Sequence, residues 1–160
     1  MTTPTTLDTS IAPGTPTRGT SAPTIICAHD IDPSNPPTAY GQAVAAEPAN
    51  GWAIPIRPPC IAGEILGVLV RSAADVAALA PPTSGRLDVM YAGYVAVQVG
   101  GSTAPFDGCP AYVRTGAQSQ GKPLGGIEAA ADGANTLQLR GAYFTGPSNS
   151  NGVAELALNV

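Results

Sequence analysis

Charge is what this chain has least of. Only 11% of its 160 residues are Asp, Glu, Lys or Arg, against roughly 25% in ordinary soluble domains. A surface so thinly charged is poorly protected against association, so much of it is expected to be covered in the working state. The basic residues are one lysine, Lys122, and six arginines scattered from Arg18 to Arg140. With a formal net charge of −4 and no basic stripe, nothing here suits a phosphate backbone, which needs clustered Lys and Arg. No nucleic-acid partner is expected. No apolar run approaches the ~20 residues of a membrane helix, and the start lacks the basic region and apolar core of a secretory leader. No membrane partner is expected, and the protein is read as made and used without crossing one.

Groups that carry chemistry are scarce as well. The three cysteines, Cys27, Cys60 and Cys109, are odd in number and widely spaced. Without a CxxC pair they suggest neither a zinc site nor a redox motif, and they are read as reduced, buried small hydrophobes. The single histidine, His29, sits in Cys27-Ala28-His29-Asp30-Ile31-Asp32. Strand alternation puts Cys27 and His29 on one face with no further ligand nearby in sequence, so the segment reads as a polar strand end followed by a turn. No GxSxG elbow, no GxxxxGK[ST] loop and no GxGxxG turn occurs. Acidic residues are isolated apart from Asp30 and Asp32, which leaves paired-carboxylate hydrolysis and an EF-hand without support. The chain is expected not to be an enzyme and to carry no catalytic residue, no cofactor and no metal. A hydrolase built around His29 lacks its nucleophile motif.

What is abundant is turn chemistry: 19 glycines and 17 prolines. Residues 1–24 are mostly Thr, Pro, Ser and Gly and have little to bury, so alone they cannot offset their ordering entropy. Such an arm needs a berth. With Leu7 and Ile11 as its few apolar anchors, a neighbouring molecule is expected to supply that berth rather than the arm's own domain. Residues 24–28 form a short apolar run and a strand candidate, and the prolines of residues 32–37 then break regular structure. Residues 40–44 are a weaker strand candidate. Residues 52–56 are a better one, with Pro55 placing it at an edge or bulge. Residues 65–71 form a nearly continuous apolar run, hence a core strand. Residues 73–80 favour helix, stopped after about two turns by Pro81-Pro82.

Beyond Gly85 a period of two is clear. Val95, Val97 and Val99 share one face while Tyr94, Ala96 and Gln98 share the other. Leu137 and Leu139 oppose Thr136, Gln138 and Arg140. Ala154, Leu156, Leu158 and Val160 oppose Val153, Glu155, Ala157 and Asn159. Asp132-Gly133 and Asn151-Gly152 supply turns with positive φ. Short strands at such spacing predict an all-β fold, a compact β-sandwich or barrel (jelly-roll-like) with an extended N-terminal arm. The arm is assigned to residues 1–40 and the β domain to residues 41–160.

The quoted segments GYVAVQV, PAYVR (Pro110–Arg114), GGIEAAADGANTLQL and FTGPSNSNGVAELALNV, with GVLVRS earlier, resemble the head decoration, or structural cement, proteins of tailed bacteriophages. The likeness covers roughly the last 95 residues and leaves the Thr/Pro arm unaligned. The resemblance implies a non-enzymatic protein on the outer surface of the virion capsid, synthesised in the host cytoplasm. Its implied partners are the major capsid protein and copies of itself, as a dimer or trimer. Candidate contact residues are Leu7, Ile11 and Arg18 in the arm, the apolar pair Ile25 and Ile26, and Arg57 and Arg71. The competing reading is a host- or glycan-recognising module displayed on a virion, which requires an exposed aromatic or carboxylate cluster on the loops.

Overall fold

The computed structural model describes residues 6–55, 64–75 and 77–160. Nine strands run through them: β1 (Ile25–Asp30), β2 (Ala43–Ala46), β3 (Ala53–Pro55), β4 (Ile65–Val70), β5 (Arg86–Gly100), β6 (Pro110–Arg114), β7 (Ile127–Glu128), β8 (Thr136–Phe144) and β9 (Val153–Leu158). The 15-residue β5 organises them all. Before Gly93 it pairs with β1 and β4; after Gly93 it pairs with β9 and, at its end, with β7. Gly93 takes φ +130°, a conformation that side-chain-bearing residues rarely adopt, so one strand serves two sheets by turning at a glycine.

The second half of β5 closes a ring in the order β5-β7-β6-β8-β9 and back to β5. The choice between sandwich and barrel therefore resolves to a five-stranded barrel with further strands attached. Its interior is filled by the side of each strand that alternation marks as apolar, including Val95, Val97, Val113, Ile127, Phe144 and Leu156. The first half of β5 carries the attached sheet, in the order β3-β2-β4-β5 with β1 on the other edge of β5. Around β2, β4 and β5 this sheet is buried on both faces, while β1 is exposed. Ala43, Ala45, Val68, Val70 and Met90 join the barrel core, while Val44, Leu69, Leu87, Val89 and Tyr40 form a second cluster on the reverse side. That double burial is why β4 reads as an unbroken apolar run.

Gly67 lets β4 and β5 meet: a Cβ there would run into the Met90 carbonyl oxygen. Gly67→Ala is expected to cost about 1–3 kcal/mol through forced backbone shift, checked by thermal denaturation.

Three expectations need correction. Among the described residues of the run 73–80 the regular element is a 3₁₀ turn at Ala73–Asp75. The amide N–H of Ala78 donates back three residues to Asp75, and the Arg71 guanidinium donates to the Asp75 and Ala78 carbonyls, which ties the segment down as turns. Cys27 is exposed, whereas Cys109 is buried as expected and Cys60 lies outside the described residues. The arm docks on its own domain, through contacts that an inventory of apolar anchors misses. Elsewhere β2 begins at Ala43, three residues after the apolar run does. β3 ends on Pro55 at the end of the sheet order, matching the edge position. Among the described residues no helix is long and apolar enough to cross a membrane.

Candidate interaction surface

The arm completes the sheet by backbone first. Gly14 N–H donates to the Ala96 carbonyl at 2.7 Å, Ala96 N–H donates to Thr15 at 2.9 Å, and Thr17 N–H donates to Tyr94 at 3.0 Å. Residues 14–17 thus lie along the edge of β5 that β1 occupies further on. Leu7 is buried in a small cluster with Ala96 and Val153, and Ile11 packs against it. Here the outward face of β5 and β9 carries the small Ala96 beside Val153, against which Leu7 packs.

Glu155 is the polar anchor of this berth. It projects from the outward face of β9, yet is only 2% exposed. Arg18 Nη2 lies 2.5 Å from its Oε1 and Arg18 Nε 3.0 Å from the same oxygen. Thr145 Oγ1 donates at 2.7 Å, and Thr17 donates to Oε2. Burial alone would push the Glu155 carboxyl up; hydrogen bonds from Arg18, Thr17 and Thr145, with the Arg18 charge, hold it below the ordinary carboxylate value. Arg18 also lies over the Tyr94 ring at 3.9 Å from its centroid, a cation–π contact.

The flank beside this clasp is open. β1 pairs with β5 on one edge; beyond it Ile31 bridges to Ala53 and His29 Nδ1 lies 3.3 Å from the Gly51 carbonyl oxygen. Ile25 is 56% exposed and Ile26 is 40% exposed, in a strand whose residues are nearly all exposed. A solvent-facing apolar strand edge is a template for pairing with another chain. On the barrel side, Tyr94 and Tyr143 both flank Ala157 in register, and Phe106 is 61% exposed.

Two further features complete the inventory. The Arg114 guanidinium is fully buried and meets Glu128 bidentately at 2.6 and 2.9 Å, with Asp132 at 2.7 Å. These contacts raise the Arg114 pKa despite burial and lower that of Asp132. A cleft of about 570 Å³ opens between Pro13, Tyr40, Arg71, Leu79, Gln98 and Gln118. Its one arginine is already committed, donating to the Pro13, Asp75 and Ala78 carbonyls and stacking on Tyr40.

The structure thus divides the residues expected to make contacts. Leu7, Ile11, Arg18 and Arg71 hold the arm and its surroundings to the domain, Ile25 and Ile26 are both exposed, and Arg57 lies outside the described residues. His29 faces Tyr91, whose hydroxyl lies 2.6 Å from Nε2, and no metal-binding cluster occurs among the described residues. Glu155, Glu128 and Arg114 were not singled out in the sequence. A usable signal for Glu155 existed, because its supposed solvent face also carries Val153 and Ala157 and is half apolar.

Fold and surface together define a small all-β protein with an exposed strand flank. The chain matches the family model described as XM1 gp53 minor capsid protein over residues 5–158, and it belongs to that family. Its role is accordingly a structural one in a bacteriophage capsid. It is also similar to a chain in "The capsid of Myoviridae Phage XM1", at 17% identity and a TM-score of 0.71, covering 93% of this chain and 90% of that one. At that identity the likeness speaks for the fold. No curated protein matches the chain.

Proposed function

We propose that the protein decorates the outer surface of an assembled phage head, where it clamps neighbouring major capsid proteins and stabilises the shell without catalysing a reaction. The observation that carries this is the open flank of β1: Ile25 and Ile26, successive and both exposed, on an edge strand, in a chain with 11% charged residues. A clamp across a subunit junction raises the cost of separating the subunits, and repetition at symmetry-related sites converts modest contacts into avidity.

Removing the arm is a poor test of this reading, because the arm also covers Ala96, Val153 and Glu155 within the same chain. The informative variant is Ile25→Asp/Ile26→Asp, which alters side chains already in solvent. Co-sedimentation with capsids lacking the protein, followed by heating, is expected to show saturable binding and a raised capsid melting temperature for the unmodified chain. The double variant is expected to bind at least about tenfold more weakly, the order of one interface hot spot. Equal binding by both proteins would remove the β1 flank from the interface. Saturable binding with no stability gain would favour the display and recognition reading instead.

A further inference from the structure

The cleft of about 570 Å³ falls among those that hold a ligand, roughly 300–1,000 Å³, and it lies where three parts of the fold meet. The docked arm supplies Pro13, the attached sheet supplies Gln42 and Arg71 at its strand ends, and the barrel supplies Gln98 and residues 118–126. The arm wall is closely fitted. The Pro13 carbonyl accepts from Arg71 Nε at 2.9 Å, and the Gly14 carbonyl accepts from the Arg71 amide at 2.8 Å. A Cβ on Gly41 would come within 3.0 Å of the Pro13 Cβ.

The chemistry of the lining narrows what fits. It has no carboxylate to hold a cation, and its one charged side chain, Arg71, is held by three carbonyls of this chain. Its one aromatic, Tyr40, is 4% exposed and lies under the Arg71 guanidinium, so no open ring face is left for a sugar or a base to stack on. What remains is hydrogen-bonding capacity. The side chains of Gln42, Gln118 and Ser119 have no hydrogen-bond partner among the described residues. A carboxamide offers donor and acceptor together, the complement of a peptide group. Gly100, Gly121 and Gly126 leave their part of the wall without side chains, so a second chain can approach closely. Leu79, 97% exposed, adds an apolar contact at the rim.

We infer that the cleft takes an extended, uncharged stretch of polypeptide with small side chains, contributed by a neighbouring capsid chain. Its peptide groups pair with Gln42 and Gln118, and one apolar side chain covers Leu79. The inference rests on the capsid reading and deepens it by naming a second contact, which shares no residue with the β1 flank.

The test uses full-length chains. Leu79→Glu/Gln118→Glu places charge at two exposed positions of the cleft, and Thr103→Glu/Ser150→Glu places the same charge at exposed positions outside it. In co-sedimentation with capsids lacking the protein, the cleft variant is expected to bind at least about tenfold more weakly than the unmodified chain, the order of one hot spot. The control pair should bind as the unmodified chain does. A benzophenone side chain at position 118 should attach, on illumination, to a capsid polypeptide within a stretch free of charged residues. Equal binding by the cleft variant and the control overturns the inference, as does attachment to no capsid polypeptide or to a charged stretch. Maltoheptaose bound by the unmodified chain and lost in the cleft variant, with capsid binding intact, overturns it in favour of a saccharide site. An unmodified chain that binds no capsid sinks the capsid reading and this inference together, whereas absence of the cleft effect alone leaves that reading standing on the β1 flank.

Discussion

Arg114→Met is expected to lower stability by about 3–5 kcal/mol, the cost of leaving a buried charge without its partner. For a chain of this length that corresponds to a drop in melting temperature of roughly 10 °C or more. The reason is geometric. Glu128 is 4% exposed, and both its oxygens are met by one guanidinium. Methionine leaves the carboxylate desolvated with no cation in contact, since Lys122 is placed on Asp132, at 3.6 Å. The arginine also ties β6 to β7 and to the turn that begins at Asp132. Its loss should therefore loosen the part of the barrel that is closed by only two residue pairs between β5 and β7.

The companion variant decides the cause. Arg114→Met/Glu128→Leu removes both charges and keeps apolar volume, and buried ion pairs replaced in this way are often neutral or better. Recovery of most of the lost stability in the double variant, measured by denaturant unfolding, would establish the unpaired carboxylate as the source. A double variant as unstable as Arg114→Met would instead assign the loss to packing around the arginine stem.

The barrel strands were legible because their alternation is set by which side is buried, and burial needs only the local sequence to declare itself. Val95 with Val97, and Ala154 with Leu156, point inward as their period requires. Chain-distant polar pairs carry no such mark. Arg114 and Glu128 lie 14 residues apart on different strands, and an arginine in an alternating strand reads as solvated until a second layer is seen to cover it. The same holds more strongly for Arg18 and Glu155, 137 residues apart. The arm itself was misjudged because its hold is mostly polar: backbone bonds from residues 14–17 to β5 and one ion pair. An estimate counting Leu7 and Ile11 alone finds too little to order it. Of the candidate contact residues, the exposure of Ile25 and Ile26 was visible only as an apolar pair, which equally describes a core strand.

Arg18→Ala is expected to release the arm while leaving the barrel folded. The substitution strips the bidentate-like contact and the nearby positive charge from Glu155, whose remaining partners are the hydroxyls of Thr17 and Thr145. Hydrogen bonds to charged groups contribute about 1.5–3 kcal/mol, so amides protected by the arm should exchange with solvent roughly 10–100-fold faster. The reporters are Gly14, Ala96 and Arg71, whose N–H groups bond to or from the arm, with Phe144 as the barrel reference bonded to Cys109. Acid should act in the same direction. The folded Glu155 carboxyl titrates below its ordinary value, so its contribution is complete above the unfolded value of about 4.3 and is lost as pH falls through the lower folded value. The charged group facing it is Arg18 on the arm, which stays protonated throughout. Asp8, held low by hydrogen bonds from Ser10, is a carboxylate on the docked arm itself, so the measurement is made in Asp8→Asn as well. Protection of Ala96, corrected for the intrinsic rate, should fall in acid in both backgrounds and become nearly independent of pH in Glu155→Gln. Acid loss that persists in Glu155→Gln would place the titrating group elsewhere. Arm protection unchanged by Arg18→Ala would leave the backbone ladder from residues 14–17 to β5 as sufficient to hold the arm.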